Sequence, residues 1–275
     1  MPLKARRYVR RMRGGAQAHL LEAENGRFYV VKCRDNPQGR RILINEWVAA
    51  VFLRHLEITV PETALIEVTP EFVRDHPEFC IQLGTSRRPV EPGWHFGSCF
   101  PGDPATTAVY DFLPDALLTQ VVNSRDFLGV LVADKWLANA DGRQAIYYRA
   151  RIERARADPG SVETGFVASM IDHGFVFNGP EWSLRAGPLH GLAPRGIVYS
   201  PVRSLDDFQP WLDRVTHFPP EVVDEALRGL PPEWFDGDRD QLETLLERLL
   251  ARGRHTAERL LECRHARPEW FPNWK

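Results

Sequence analysis

Lys32, Glu46, Asp134, Asn139 and Asp172 are the side chains whose type and setting suit chemistry. Lys32 stands in YVVKC, where strand alternation puts it on the face of Phe28 and Val30, toward an apolar surface. Glu46 stands in RILINEW and shares a helical face with Ile42, Ala49, Ala50 and Leu53. A carboxylate on such a stripe is costly unless a cation partners it. A strand lysine and a helix glutamate that both point inward suit one another. Each also has a plain structural reading, with Lys32 snorkelling to water and Glu46 at a helix edge.

Asp134 lies three and four residues after Leu131 and Val130, and Asn139 follows it in DKWLANADG. An Asp-x4-Asn pair at a helix C-terminus can bring a carboxylate and an amide oxygen toward one site. The carboxylate can accept a hydroxyl proton, and the amide oxygen is a hard ligand suited to Mg²⁺. Asp172 ends the alternating run FVASMID, ahead of His173 and Gly174. There it can hold a metal, or simply start a turn.

The order is more informative than any member. A Gly14-Gly15 turn precedes a hairpin; a strand Lys, a helix Glu, Asp-x4-Asn and a strand-ending Asp follow. Phosphoryl transfer uses such parts in that order: backbone amides over phosphates, a cation with its orienting carboxylate, a base, and metal ligands.

The elements that must carry these groups are legible. Residues 17–33 read as a hairpin about Asn25-Gly26, a dipeptide suited to a tight two-residue turn. A helix is expected over 40–56, strands over 63–68 and 78–83, and an irregular Gly/Pro-rich connector over 84–105. Ser124 can cap a helix through DFLGVLVADKW. Strands are expected at 144–152 and 165–172, with the polar stretch 154–164 as an exposed hairpin tip. From about 203 the signals are helical, including one long helix through RDQLETLLERLLARGRHTAERLLECR. The expected fold class is α/β (α+β) and bilobal: a β-rich lobe over 1–105 and a mainly helical lobe over 106–275.

Composition excludes several classes. The chain has 275 residues, 43% hydrophobic and 26% charged, with a net charge of −2. Those are the values of an ordinary globular protein, and no apolar run is long enough to span a membrane. The near-neutral balance argues against a dedicated nucleic-acid binder. Six basic residues within the first thirteen are read as a solvated edge strand. Cys33, Cys80, Cys99 and Cys263 are widely spaced, which fits a reducing cytoplasm, and the basic start lacks the apolar stretch of a secretory signal. No HExxH or GxGxxG occurs.

The runs GGAQAHL, FYVVKC, RILINEW, VYDFLPDALL, DKWLANADGRQAI and MIDHGF together resemble the HipA-like kinases, closest to their short, stand-alone bacterial branch. The resemblance spans nearly the whole chain and implies a bilobal protein-kinase-like fold with ATP in the cleft. It implies Lys32 on the nucleotide phosphates steadied by Glu46, Asp134 as catalytic base, and Asn139 and Asp172 as Mg²⁺ ligands. Gly14, Gly15 and Gln17 would belong to the phosphate-covering loop. That loop has no Ser or Thr between Tyr8 and Gln17, so it lacks the hydroxyl of an autophosphorylation switch.

The expected activity is transfer of the γ-phosphate of ATP, with Mg²⁺, to a hydroxyl, taken to be Ser or Thr of a protein. The phosphoryl acceptor itself is not named by the sequence. Two other readings stay open: a pseudokinase that senses nucleotide or binds a partner, and a kinase of a small molecule.

Overall fold

A computed structural model describes residues 1–153 and 162–275. Strands β1 (Leu3–Arg11), β2 (His19–Ala23), β3 (Phe28–Lys32) and β4 (Thr63–Val68) belong to one closed barrel. Helix α1 (Arg41–His55) lies between β3 and β4 in the chain, and the short α2 (Pro70–Asp75) follows β4. Strands β5 (Cys80–Leu83) and β6 (Ser86–Pro89) form a separate pair, and β7 (Gly93–Cys99) completes the barrel between β3 and β4.

The hairpin about Asn25-Gly26 forms, but its turn is not the expected two-residue one: only Gly26 of the pair has a positive φ, +74°, and the loop closes through Gly26 N to Ala23 O and Ala23 N to Arg27 O, each at 2.9 Å. The expected connector over 84–105 is corrected: it contains β6 and β7, and β7 pairs antiparallel with both β3 and β4. Glycine density hid this strand. A Cβ on Gly97 would stand 2.5 Å from Ile66 Cγ1, so this glycine permits close packing and does not break the strand. The basic N-terminal segment is a strand but no edge, because β1 pairs with β2 on one side and β4 on the other.

The second lobe starts with β8 (Val109–Tyr110), α3 (Asp115–Leu118) and α4 (Asp126–Leu137), followed by β9 (Gln144–Glu153) and β10 (Val162–Ile171). The antiparallel pair β9–β10 sets Gln144 opposite Ile171, one residue before Asp172. The expected hairpin tip falls largely on 154–161, outside the described residues. Ser124 does not cap α4 through its side chain; Arg125 occupies the cap position.

Helices α5 (Trp211–Thr216), α6 (Pro220–Arg228), α7 (Arg239–Arg252) and α8 (Thr256–Ala266) complete the lobe. The single long helix expected at the C-terminus is two, joined by a short 3₁₀ turn over Gly253–His255. A Cβ on Gly253 would lie 2.1 Å from the Val215 carbonyl oxygen, so the chain passes tightly over α5 at this break.

Two main cores result. One fills the barrel with residues such as Leu21, Val31, Ile66 and Phe79. The larger one joins α1 to the helical lobe, with Phe52 stacked on Trp136 at a centroid distance of 5.6 Å. Helix α1 is buried around most of its girth, as an interlobe helix must be. No helix among the described residues is long and apolar enough to cross a membrane. The four cysteines are free and buried.

Candidate active site

Lys32 ends β3, where its side chain leaves the barrel wall and meets α1 and the end of β10. Its Nζ donates to Glu46 Oε1 and, at 2.7 Å, to Asp172 Oδ1. Burial works against the Lys32 charge, but Glu46 and Asp172 outweigh it and raise its pKa. Burial raises Glu46 above the ordinary carboxylate range despite Lys32. Burial acts the same way on Asp172, but the Lys32 ammonium overcomes it and holds Asp172 below that range. The group is thus an ammonium between two carboxylates.

Helix α1 also grips the backbone beyond Asp172. Asn45, next to Glu46, is fully buried; its Nδ2 donates to Gly174 O at 2.7 Å and to Val176 O and Gly179 O, each at 3.1 Å. Its Oδ1 accepts from Trp182 Nε1 at 2.9 Å. Sequence reasoning missed Asn45, although a polar residue on a buried helix face was a signal. Gly174 permits this approach: a Cβ there would meet Ile42 Cγ2 at 2.6 Å. The positive φ of the turn, +58°, falls on Asp172 itself.

A cavity of about 200 Å³ opens above the triad. Gly14 and Gly15 line it from the β1–β2 loop, Val30, Ala50 and Phe96 from the first lobe, and Ile146 and Ile171 from the second. A second cavity of about 450 Å³ adjoins it, sharing Pro61, Cys99, Phe100, Pro101 and Ile146. An apolar slot with charged groups at one end suits a flat heterocycle carrying an anionic tail.

The structure does not bring every expected residue to this cleft. Gln17 turns away: its Oε1 accepts from Gln82 N at 2.7 Å and its Nε2 donates to Gln82 O at 2.9 Å, tying the loop to β5. Asp134 and Asn139 do not line the cavity either. Asp134 is 1% exposed, and Arg143 binds both of its oxygens, with Nε to Oδ2 at 2.8 Å and Nη2 to Oδ1. Asn139, 0% exposed, donates to Asp134 Oδ1 at 3.1 Å and accepts from Asp141 N at 3.2 Å. A carboxylate sealed under a guanidinium has no room for an incoming hydroxyl. Asn139 likewise has its amide oxygen committed to the backbone.

Arg143 performs a task that the sequence did not suggest. Its Nη1 donates to Ile171 O at 2.8 Å and to His173 Nδ1 at 2.9 Å, on either side of Asp172. Burial, then Arg143 and Lys32, hold His173 well below its ordinary pKa, so it is neutral and can accept that bond. Arg143 therefore staples the α4–β9 loop to the turn that carries Asp172. Asp141 lies in that loop with an exposed side chain, and its carbonyl accepts from Gly191 N at 2.8 Å. Gln144 follows, lines the cavity beside Asp172 and helps to hold the Asp172 pKa down. Asp141 and Gln144 are the polar groups that sequence spacing passed over in favour of Asp-x4-Asn.

The fold has solved counterparts. The Golgi casein kinase matches with a TM-score of 0.52 and 16% identity, over 97% of this chain and 74% of that one. The same kinase with Mn/ADP bound gives 0.51 and 13%, covering 97% and 73%. The Helicobacter pylori proinflammatory kinase CtkA gives 0.51 and 12%, covering 98% and 99%. At such identities the likeness establishes a bilobal kinase-like α/β fold. No curated protein matches the sequence significantly. A scan against protein families matches HipA-like kinase over residues 6–147, more than half of the chain. On that match, and with a kinase-like fold around the Lys32 cluster, the chain belongs to the HipA-like kinase family.

Proposed function

We propose that the protein transfers the γ-phosphate of ATP, with Mg²⁺, to a hydroxyl of an acceptor, in the first instance Ser or Thr of a protein. The kinase type of activity follows from the family; the nucleotide, metal and acceptor are the proposal. One observation carries it: Lys32, held between Glu46 and Asp172, lies at the base of a cleft lined by Gly14 and Gly15. The reading takes residues 1–105 as the nucleotide lobe and 106–275 as the catalytic lobe.

In this reading the apolar walls from Val30, Ala50 and Ile146 take the base, and the amides of the Gly14-Gly15 loop cover the phosphates. Lys32 binds the phosphate oxygens, oriented by Glu46. The metal fits a restricted donor set. Asp172 offers the carboxylate oxygen that Lys32 does not occupy, and Gln144 offers an amide oxygen. One carboxylate with substrate phosphates is a common way to hold Mg²⁺. When bound, the ion would offset charge developing on the transferred group. Asn139 has no part in that set, since its side chain is engaged elsewhere.

Asp134 is replaced as candidate base by Asp141. Support comes from its exposed carboxylate, its place three residues before Gln144, and a loop fixed by Arg143 and Gly191. Asp141 would accept the hydroxyl proton as the oxygen attacks. The sealing of Asn139 favours a second reading, a pseudokinase that binds nucleotide without transferring it.

The test is incubation of the full chain with radiolabelled ATP and Mg²⁺ in the presence of lysate and, separately, casein. Label transfer that depends on Lys32 and Asp141 supports the kinase. Saturable ATP binding without transfer supports the pseudokinase, and absence of binding at millimolar nucleotide overturns both.

A further inference from the structure

The segment after the Asp172 turn leaves the cleft and helps to build a further, separate cavity, of about 700 Å³, against α7 and α8. Its lining is strongly basic. Arg185 comes from that segment, Arg248 and Arg252 from α7, and Arg259 from α8, with His255 from the turn between the helices. Glu181 is the one carboxylate in the lining. A local excess of positive charge therefore stands on a chain whose net charge is −2.

His255 lies 3.4 Å from Glu258, but the arginines have no such partner among the described residues. Among the described residues, Arg185, Arg248 and Arg259 take part in no ion pair, and Arg259 Nε is buried without a hydrogen-bond partner. Arg252 is 9% exposed; its Nε donates to Trp136 O at 2.9 Å and its Nη2 to Lys135 O at 3.2 Å. Those two bonds turn it across the end of α4 and leave Nη1 unpartnered among the described residues. Burial, and after it the neighbouring Arg259, lower the Arg252 pKa to about 10, with Glu262 acting the other way. Ser183 also lines the cavity, and its Oγ accepts from Asn178 Nδ2 at 3.2 Å, so its own proton remains available.

Forked guanidinium donors match the oxygens of a phosphate, which takes two parallel bonds from each fork. A single carboxylate would leave most of these donors unused. We propose that this cavity is a binding site for a phosphate dianion, either free or borne on a phosphorylated side chain of a polypeptide. The site is separate from the nucleotide cleft, and the inference does not need that cleft to be active. Both ends of the 173–192 segment lie at the cleft: Asn45 holds Gly174, and Arg143 N donates to Leu192 O at 2.9 Å. An anion bound midway along it would hold the stretch that follows Asp172.

The test is calorimetric titration of the full chain, with its cleft saturated by non-hydrolysable ATP analogue and Mg²⁺, using inorganic phosphate, a phosphoserine peptide and the same peptide unphosphorylated. The variants are R185Q/R259Q and, separately, R248E, each first checked for an unchanged thermal midpoint without ligand. Charge-assisted bonds of this kind imply a loss of about tenfold or more in phosphate affinity in each variant. If only the phosphopeptide binds, the ligand is a modified polypeptide; if phosphate binds equally well, it is the free anion. No binding of either at about 10 mM (about 5.5 kcal/mol weaker than a micromolar site would be), or equal binding in the variants, overturns the proposal. A variant that loses its fold is replaced by R248E alone, whose side chain is exposed.

Discussion

Arg143 and Asp134, nine residues apart, form a bidentate ion pair with both side chains fully buried. The pair ties the C-terminal end of α4 to the start of β9, and through Ile171 O and His173 Nδ1 it also fixes the Asp172 turn. Removing one partner of a buried pair leaves the other charge uncompensated, at a cost of about 3–5 kcal/mol. Arg143→Met and Asp134→Asn are both expected to lower the urea midpoint strongly. An Asp134→Asn protein that keeps wild-type stability and merely loses transfer would restore Asp134 as the base.

Asp141→Asn is the converse case. The side chain is exposed, so stability should change little, while loss of a general base lowers the rate by about 10²–10⁴-fold. Single-turnover transfer and thermal unfolding, measured side by side, separate the two residues. Wild-type turnover in Asp141→Asn counts against the assignment.

Lys32→Met removes the cation between Glu46 and Asp172. Both carboxylates then lose their stabilising partner, and Asp172 should rise from its depressed pKa toward and above the ordinary range. Loss of an electrostatic contact to the transferred group typically costs about 10²–10³-fold in rate. Metal dependence should also move to higher pH, since an Asp172 proton competes with Mg²⁺. A metal-binding pH profile identical to wild type would show that Lys32 does not set the state of Asp172.

The barrel carries a built-in acid sensitivity. Burial, with Arg34 second, lowers His95 from 6.5 to about 3. Burial, with Arg11 second, lowers His19 from 6.5 to about 4. Both are neutral in the fold, whereas the unfolded chain takes up protons near 6.5. Their contribution is thus complete above the unfolded value and is lost as pH falls toward the folded ones, at about 2 kcal/mol each near pH 5. His19→Phe, whose ring can keep the contact with Phe79 at 4.7 Å, should flatten the decline in urea stability from pH 7.5 to 5. An equally steep decline would mean that other groups carry it.

Local pattern determined much of the molecule. Alternation in FYVVK, helical spacing in RILINEWVAAVFLRH and the Asn25-Gly26 turn specify β3, α1 and the hairpin without reference to the rest. Lys32 and Glu46 could be paired from sequence because inward-facing charges of opposite sign have few other partners, whereas the contact of Lys32 with Asp172, 140 residues on, came from the fold. The glycines of β7 concealed a strand, because Gly97 is there for the approach of Ile66 from β4, which no local pattern reveals. The same holds for the site's other half. Asp134, Asn139 and Asp141 are all polar residues near one helix end, and spacing favoured the Asp-x4-Asn pair of Asp134 and Asn139 without reference to burial. Only the fold decided which of them neutralises Arg143, because a buried guanidinium needs a carboxylate beside it and Asp134 is the one placed there.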